Sequence, residues 1–193
     1  MDPRAEQFIA RAKEALTAVH QSLRNNPAHW RINTSAVKTS IQYVDQSRIM
    51  YDPRRIEERV WIITEVQLFA SFDPGDGAIR DVNDWCEREW NSALHVDPCN
   101  AAILTGLGNL WLSKAQNVLA RIHRQERATG HIDDLAADRR AGTADYHEAR
   151  TILQPAIDFF ARAVEIAQSQ GRLTGELLVK VESCSTTNEI SPS

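Results

Sequence analysis

One dipeptide, Asp97-Pro98, constrains this chain more than any other feature. It cuts a strongly periodic stretch, Val82 to Ala115 (VNDWCEREWNSALHVDPCNAAILTGLGNLWLSKA), into two helices. On its N-terminal side Cys86, Trp90 and Ala93 fall four and three residues apart and so share one helical face. Proline disfavours helical geometry in the residue before it and has no N–H to give, so the helix stops at Asp97. Asn100 is placed to cap a new helix, in which Leu104, Leu107, Gly108 and Trp111 recur at three- and four-residue steps. The stretch therefore predicts two helices joined by a tight turn.

The order of residues is small-x3-aromatic-x2-small, Leu-x2-Asp-Pro, Asn-Ala, then Leu-Gly-x2-aromatic. It resembles the tetratricopeptide repeat, in which small residues let two antiparallel helices approach and large ones fill the space between them. Ala156, Phe160, Ala163 and Val164 reproduce the small-x3-aromatic-x2-small pattern further on. Ala15, Val19, Ser22, Leu23 and Pro27 echo it faintly near the start. The resemblance implies an all-α chain, an antiparallel αα-hairpin array with the right-handed superhelix of the family. It also implies a concave groove for a peptide or partner domain, lined by the first helix of each pair. Carried over residue by residue, that face is Ala102, Thr105, Asn109 and Leu112. Asn109 directly follows the Leu-Gly pair, where many peptide-binding members hold an asparagine that contacts the ligand backbone. Thr105 stands where carboxylate-clamping members hold a basic residue, a departure that argues against chaperone-tail binding.

The rest of the chain reads as about seven helices in one domain, 1–184, with a polar excursion at 130–144 and a disordered tail at 185–193. Asp2-Pro3 opens the first helix, and Asn25-Asn26-Pro27 ends it. A second helix is predicted from Thr34 to Ser47. Asp52-Pro53 repeats the opening signal. The helix it starts carries Val60, Trp61, Ile62, Ile63, Val66, Leu68 and Phe69 nearly all round its axis, so it is predicted to be the most enclosed. Phe72 to Gly77 is a turn by composition, without the Asp-x-Asp-x-Asp-Gly register of a calcium loop. The helix after Asn100 continues through Val118, Leu119 and Ile122 to Thr129-Gly130, roughly twice the length usual in the repeat. Asp145 with Glu148 suggests a capping box, Pro155 predicts a kink or restart, and Gly171 ends that helix. Leu173 to Val181 forms a short last helix.

A net charge of -4 and a pI near 5.9 argue against a nucleic-acid surface. No apolar run approaches the roughly 18 residues of a membrane span, and the amphipathic, charged start argues against a signal peptide. Three cysteines without framework spacing suggest reduced thiols and a protein of the cytoplasm or the nucleus rather than a secreted one. Cys86, His95 and Cys99 lack the fourth ligand of a zinc site, so no metal is expected, and Cys86 is expected as a buried thiol. The preferred function is a non-enzymatic interaction module or assembly subunit with a protein or peptide partner and no cofactor. The alternative is a ligand-binding or catalytic pocket near His123 and His147, with Glu126, Asp133, Asp134, Asp138 and Glu148 as carboxylates, closed by the 130–144 excursion. Arg121, Arg124 and Arg127, three residues apart, form a candidate docking patch for an acidic partner. Trp61, Trp90 and Trp111 occupy expected core positions, whereas Trp30 and Trp85 are candidates for interface anchors.

Overall fold

Three-four periodicity throughout, with no sustained alternation, builds helices. The computed structural model describes residues 2–72, 79–129, 144–175 and 177–180, and among them there is no strand. The long helices are α1 (Pro3–Asn25), α2 (Thr34–Ser47), α3 (Ile56–Ala70), α4 (Arg80–Val96), α5 (Ala101–Thr129) and α6 (Ala144–Ser169). Short 3-10 turns at Pro27–Asn33, Ile49–Tyr51 and Pro53–Arg55 join the first three. The loop expected before residue 78, most of the excursion and the tail lie outside the described residues. None of the described helices is long and apolar enough to cross a membrane.

The helix ends follow from local chemistry. Asp2 and Asp52 each accept a backbone N–H two residues on, from Arg4 and Arg54, both at 3.1 Å. Asn100 Oδ1 accepts from the N–H of Ala102 at 3.0 Å and of Ile103 at 3.3 Å, so it caps α5 as its position predicts. α6 closes on Gly171 at φ 66°, where Arg172 N–H reaches Ala167 C=O at 2.8 Å and Gly171 N–H reaches Gln168 C=O at 3.0 Å. That pair of bonds is a Schellman motif, and its left-handed residue suits glycine. Of the kink or restart expected at Pro155, the restart is ruled out, because α6 runs as one helix through it. The capping box expected at Asp145 falls where the preceding backbone and the Asp145 side chain lie outside the described residues.

The sequence reading takes 1–184 as one domain; the fold divides at the Asp-Pro step into two compact units, Met1–Pro98 and Cys99–Ser193. In the first, Lys13 pairs with Glu58 at 2.9 Å and His20 with Glu65 at 3.0 Å, so α1 and α3 run the same way. Lys38 meets Asp81 at 2.8 Å and the Trp85 indole N–H donates to Asp45 at 3.1 Å, so α2 and α4 also share a direction. Phe8 stacks on Tyr43 at 5.5 Å, while Asn33, just before α2, donates to Ser22 near the end of α1 at 3.2 Å; α1 and α2 are therefore antiparallel. Trp90 donates to Gln67 across α3 and α4. Ile9, Leu16, Val44, Ile62, Phe69 and Trp90 fill the core between these helices, each at most 2% exposed.

The second unit is built on α5 and α6, which pair extensively. Arg121 Nη2 bonds Glu148 at 2.6 Å, whereas Gly108 abuts Phe160. Moving back along α5 moves forward along α6, so the pair is antiparallel. Val118, Ile122 and Ala149 pack together at the Arg121–Glu148 end.

The aromatic residues redistribute. Trp30 and Trp85 are buried, so neither is an exposed anchor: Trp30 meets the Phe69 edge at 6.1 Å, and Trp85 spends its N–H on Asp45. Trp61 and Trp111 are half-buried instead of central, each with a lysine over its ring, Lys13 at 5.5 Å and Lys114 at 4.5 Å. An ammonium on the outer ring face needs water on its far side, which is why these two rings sit at the rim.

Candidate functional site

The best-matched helix, α5, positions the expected groove residues. From Ile103 to Leu110, every residue except Thr105 and Asn109 is buried. Gly108 explains how this segment is held. A Cβ there would lie 2.6 Å from Cε1 and 2.7 Å from Cδ1 of Phe160, closer than carbon atoms pack, so only glycine leaves room for the ring. The first half of α5 is thus gripped by α6, and it is more enclosed than α3, where Glu57, Thr64 and Leu68 are exposed.

Ala102 is exposed, and Thr105, Asn109 and Leu112 are half-buried. The Thr105 hydroxyl donates to the Ala101 carbonyl at 2.7 Å, which occupies its proton and leaves its oxygen as an acceptor. Asn109 is different: its side-chain amide makes no hydrogen bond among the described residues. It offers two donors and one acceptor carbonyl from a half-buried position. The face is therefore less open than its spacing implies, with one polar group uncommitted at its centre.

The other candidates come out as follows. Arg121 is exposed and engaged with Glu148, an interhelical tie within this unit. Arg124 is exposed, with Nε directed to the Ala120 carbonyl at 3.3 Å. The side chains of Arg127 and His123 lie outside the described residues, as do residues 130–143 of the alternative pocket. His147 is exposed, and among the described residues its ring meets the Thr151 hydroxyl at 3.5 Å, on its own helix. Cys86 is fully buried, and burial pushes its thiol well above the ordinary range, with the Glu89 charge adding to the effect; it is no nucleophile. Cys99 and His95 are exposed, and among the described residues no His, Cys, Asp or Glu group of three or more is arranged to hold a metal.

Two charged residues that the sequence reading passes over are buried in the first unit, Arg59 on α3 and Glu89 on α4. A signal for both exists in the chain. Arg59 precedes Ile62, Ile63 and Val66 by three, four and seven residues, so it lies on the buried stripe of α3. Glu89 lies on the stripe of Val82, Trp85, Cys86, Trp90 and Ala93. Arg59 Nη2 donates to Ser92 Oγ at 3.3 Å, whereas Nε and Nη1 are buried without a partner. Burial pulls the pKa of Arg59 down and the charges of Glu89 and Asp52 oppose this, but a guanidinium stays protonated throughout.

An open hollow of about 600 Å³ also lies between the start of α1 and the end of α2, lined by Asp2, Arg4, Phe8, Asp45 and Arg48. Arg4 covers the Phe8 ring at 5.6 Å and Asp45 holds the Trp85 indole, so its main groups are committed. Comparison with family models, curated proteins and solved structures finds no match to this chain.

Proposed function

We propose that the chain is a non-enzymatic interaction module on a short tetratricopeptide-repeat-like scaffold. It takes an extended peptide along the α5 face of Ala102, Thr105, Asn109 and Leu112. The observation that carries this reading is Asn109, a half-buried amide with no side-chain hydrogen bond among the described residues, on a closely packed helix. An extended peptide backbone presents alternating N–H and C=O groups, and one amide side chain can bond to both kinds. The pairing of α5 with α6 lends support, since Gly108 against Phe160 joins the Leu-Gly signature to the small-x3-aromatic one.

The test begins with peptides selected from a random library against the full chain. A selected peptide is then titrated against the wild type and Asn109→Ala. Truncating a half-exposed asparagine should change stability by no more than about 0.5 kcal/mol. Affinity should fall about tenfold, the loss expected when a bound peptide forfeits one or two hydrogen bonds. Equal dissociation constants would remove Asn109, and with it this face, from the binding site.

A further inference from the structure

We propose that Arg59 is a receptor for one oxyanion, a carboxylate or a phosphate, bound between α3 and α4 and independent of the α5 face. Arg59 is fully buried, and its one hydrogen bond among the described residues is the long one from Nη2 to Ser92 Oγ at 3.3 Å. Nε and Nη1 are buried with no partner, which leaves three N–H donors facing no acceptor. Buried donors are almost always satisfied, and those of a charged group carry the largest penalty when they are not.

The charges around Arg59 leave the same gap. The two carboxylates whose charges act on it, Glu89 and Asp52, each hold another arginine. Glu89 Oε1 takes Arg88 Nε at 2.8 Å. Asp52 takes Arg54 through two bonds, at 3.0 and 2.9 Å. Three guanidiniums thus share two carboxylates, and the one left over is the buried one. An oxyanion fits it in charge, and its oxygens suit the planar donors of a guanidinium. Ser92, half-buried, can add its hydroxyl proton to the same anion. The solvent edge of the cluster runs along α4, through exposed Arg88 and half-buried Ser92.

The test uses the full chain and the variant Arg59→Met, which keeps an unbranched side chain and removes the charge. Replacing a buried charge by an apolar group of similar length is commonly neutral or stabilising, so the variant should fold. Melting is followed at fixed ionic strength and pH as chloride is exchanged for phosphate or acetate. Phosphate raises most melting temperatures by exclusion from the surface, so only the excess of wild type over variant counts. A saturable excess with either anion is expected, with affinity at least about tenfold weaker in Arg59→Met. The source is read by competition against a short peptide with a free C-terminal carboxylate and its amidated twin. Tighter binding of the free acid than of phosphate assigns the site to a peptide terminus, the reverse to a phosphate group. Equal binding of the free acid and the amidated twin, with no saturable phosphate excess, overturns the proposal, as does an anion dependence shared by Arg59→Met. Should the variant fail to fold, the Arg59 Nε–H resonance of labelled wild type decides. It must shift on titration with phosphate or acetate, and a stationary signal rejects the site.

Discussion

In the first unit α1 is tied to the start and body of α3 by a series of polar pairs, whereas in the second α5 and α6, joined by Arg121–Glu148 at one end, are fitted along the rest by size. Glu6 on α1 meets Arg55, the last residue of the turn before α3, at 2.6 Å, and Arg55 also holds Glu58; Lys13 reaches Glu58 at 2.9 Å and His20 reaches Glu65 at 3.0 Å across α1 and α3. Burial alone would raise the pKa of Glu58, but its bonds from Lys13 and Arg55 outweigh that and leave it lowered. These groups are partly exposed, and such pairs contribute about 0.2–1 kcal/mol each. They select a direction and register for two helices more than they stabilise them. Between α5 and α6 the register is set by shape, with Gly108 under Phe160 and Ala115, Ala149, Ala156 and Ala163 fully or nearly buried. Long side chains in an ion pair can follow a displaced partner. A ring seated on a glycine cannot.

The largest expected effect falls in the first unit, where the core does the holding. Trp90 is fully buried and gives its indole N–H to Gln67. Trp90→Ala should cost about 3–5 kcal/mol, through lost transfer energy and the cavity left behind. Urea unfolding would measure it, and a loss below about 1 kcal/mol would contradict a central role for the ring.

The next effect tests the fit in the second unit. Gly108→Leu gains helix propensity of up to about 1 kcal/mol, yet its side chain must enter space occupied by the Phe160 ring. Overpacking should dominate, with a net loss of about 1–3 kcal/mol. Phe160→Ala provides the sharper reading, because the double variant should lose less than the two single losses added together. Simple additivity would mean that the two residues do not touch in solution.

The contrast also marks what was readable from the chain. Helix ends were legible at four local signals, since Asp2, Asp52, Asn100 and Gly171 do what their residue types imply, whereas Pro155 starts no new helix. Cys86 and Trp90 were legible as core because they lie on an apolar stripe. Trp61 and Trp85 were not, since a periodic pattern gives a face and does not say how deep it lies. Depth there depends on partners distant in sequence, Lys13 for Trp61 and Asp45 for Trp85. Of the candidate sites, the α5 face is an expectation from the Leu-Gly signature, whose spacing does not reveal the half-burial of Thr105, Asn109 and Leu112. Arg59 was overlooked because a charge is read by default as exposed, even when its spacing from Ile62 and Ile63 says otherwise.

The smallest effect concerns how the two units begin their helices, and it turns the comparison into a pH experiment. The turn entering α3 is capped by Asp52, which titrates, whereas α5 is capped by Asn100, which does not. The hydrogen bond from the Arg54 side chain, followed by the one from its backbone N–H, lowers the pKa of Asp52 from 3.8 to about 2. A folded-state pKa below the unfolded one stabilises the fold only while the group is ionised. The contribution of Asp52 is therefore complete above its ordinary value, and it fades as pH falls from about 4 through about 2. Asp52→Asn keeps an acceptor for the Arg54 N–H and removes the charge alone. The variant should melt slightly below the wild type at pH 6, by a margin kept small because the Arg54 side chain is largely exposed and water screens the pair. That margin should close as the pH approaches 2. Asn100→Asp supplies the converse, a new acid-sensitive contribution at the start of α5 where the wild type has none. A margin for Asp52→Asn that closes near pH 4 instead would show that the Arg54 bonds do not hold the carboxylate ionised in solution.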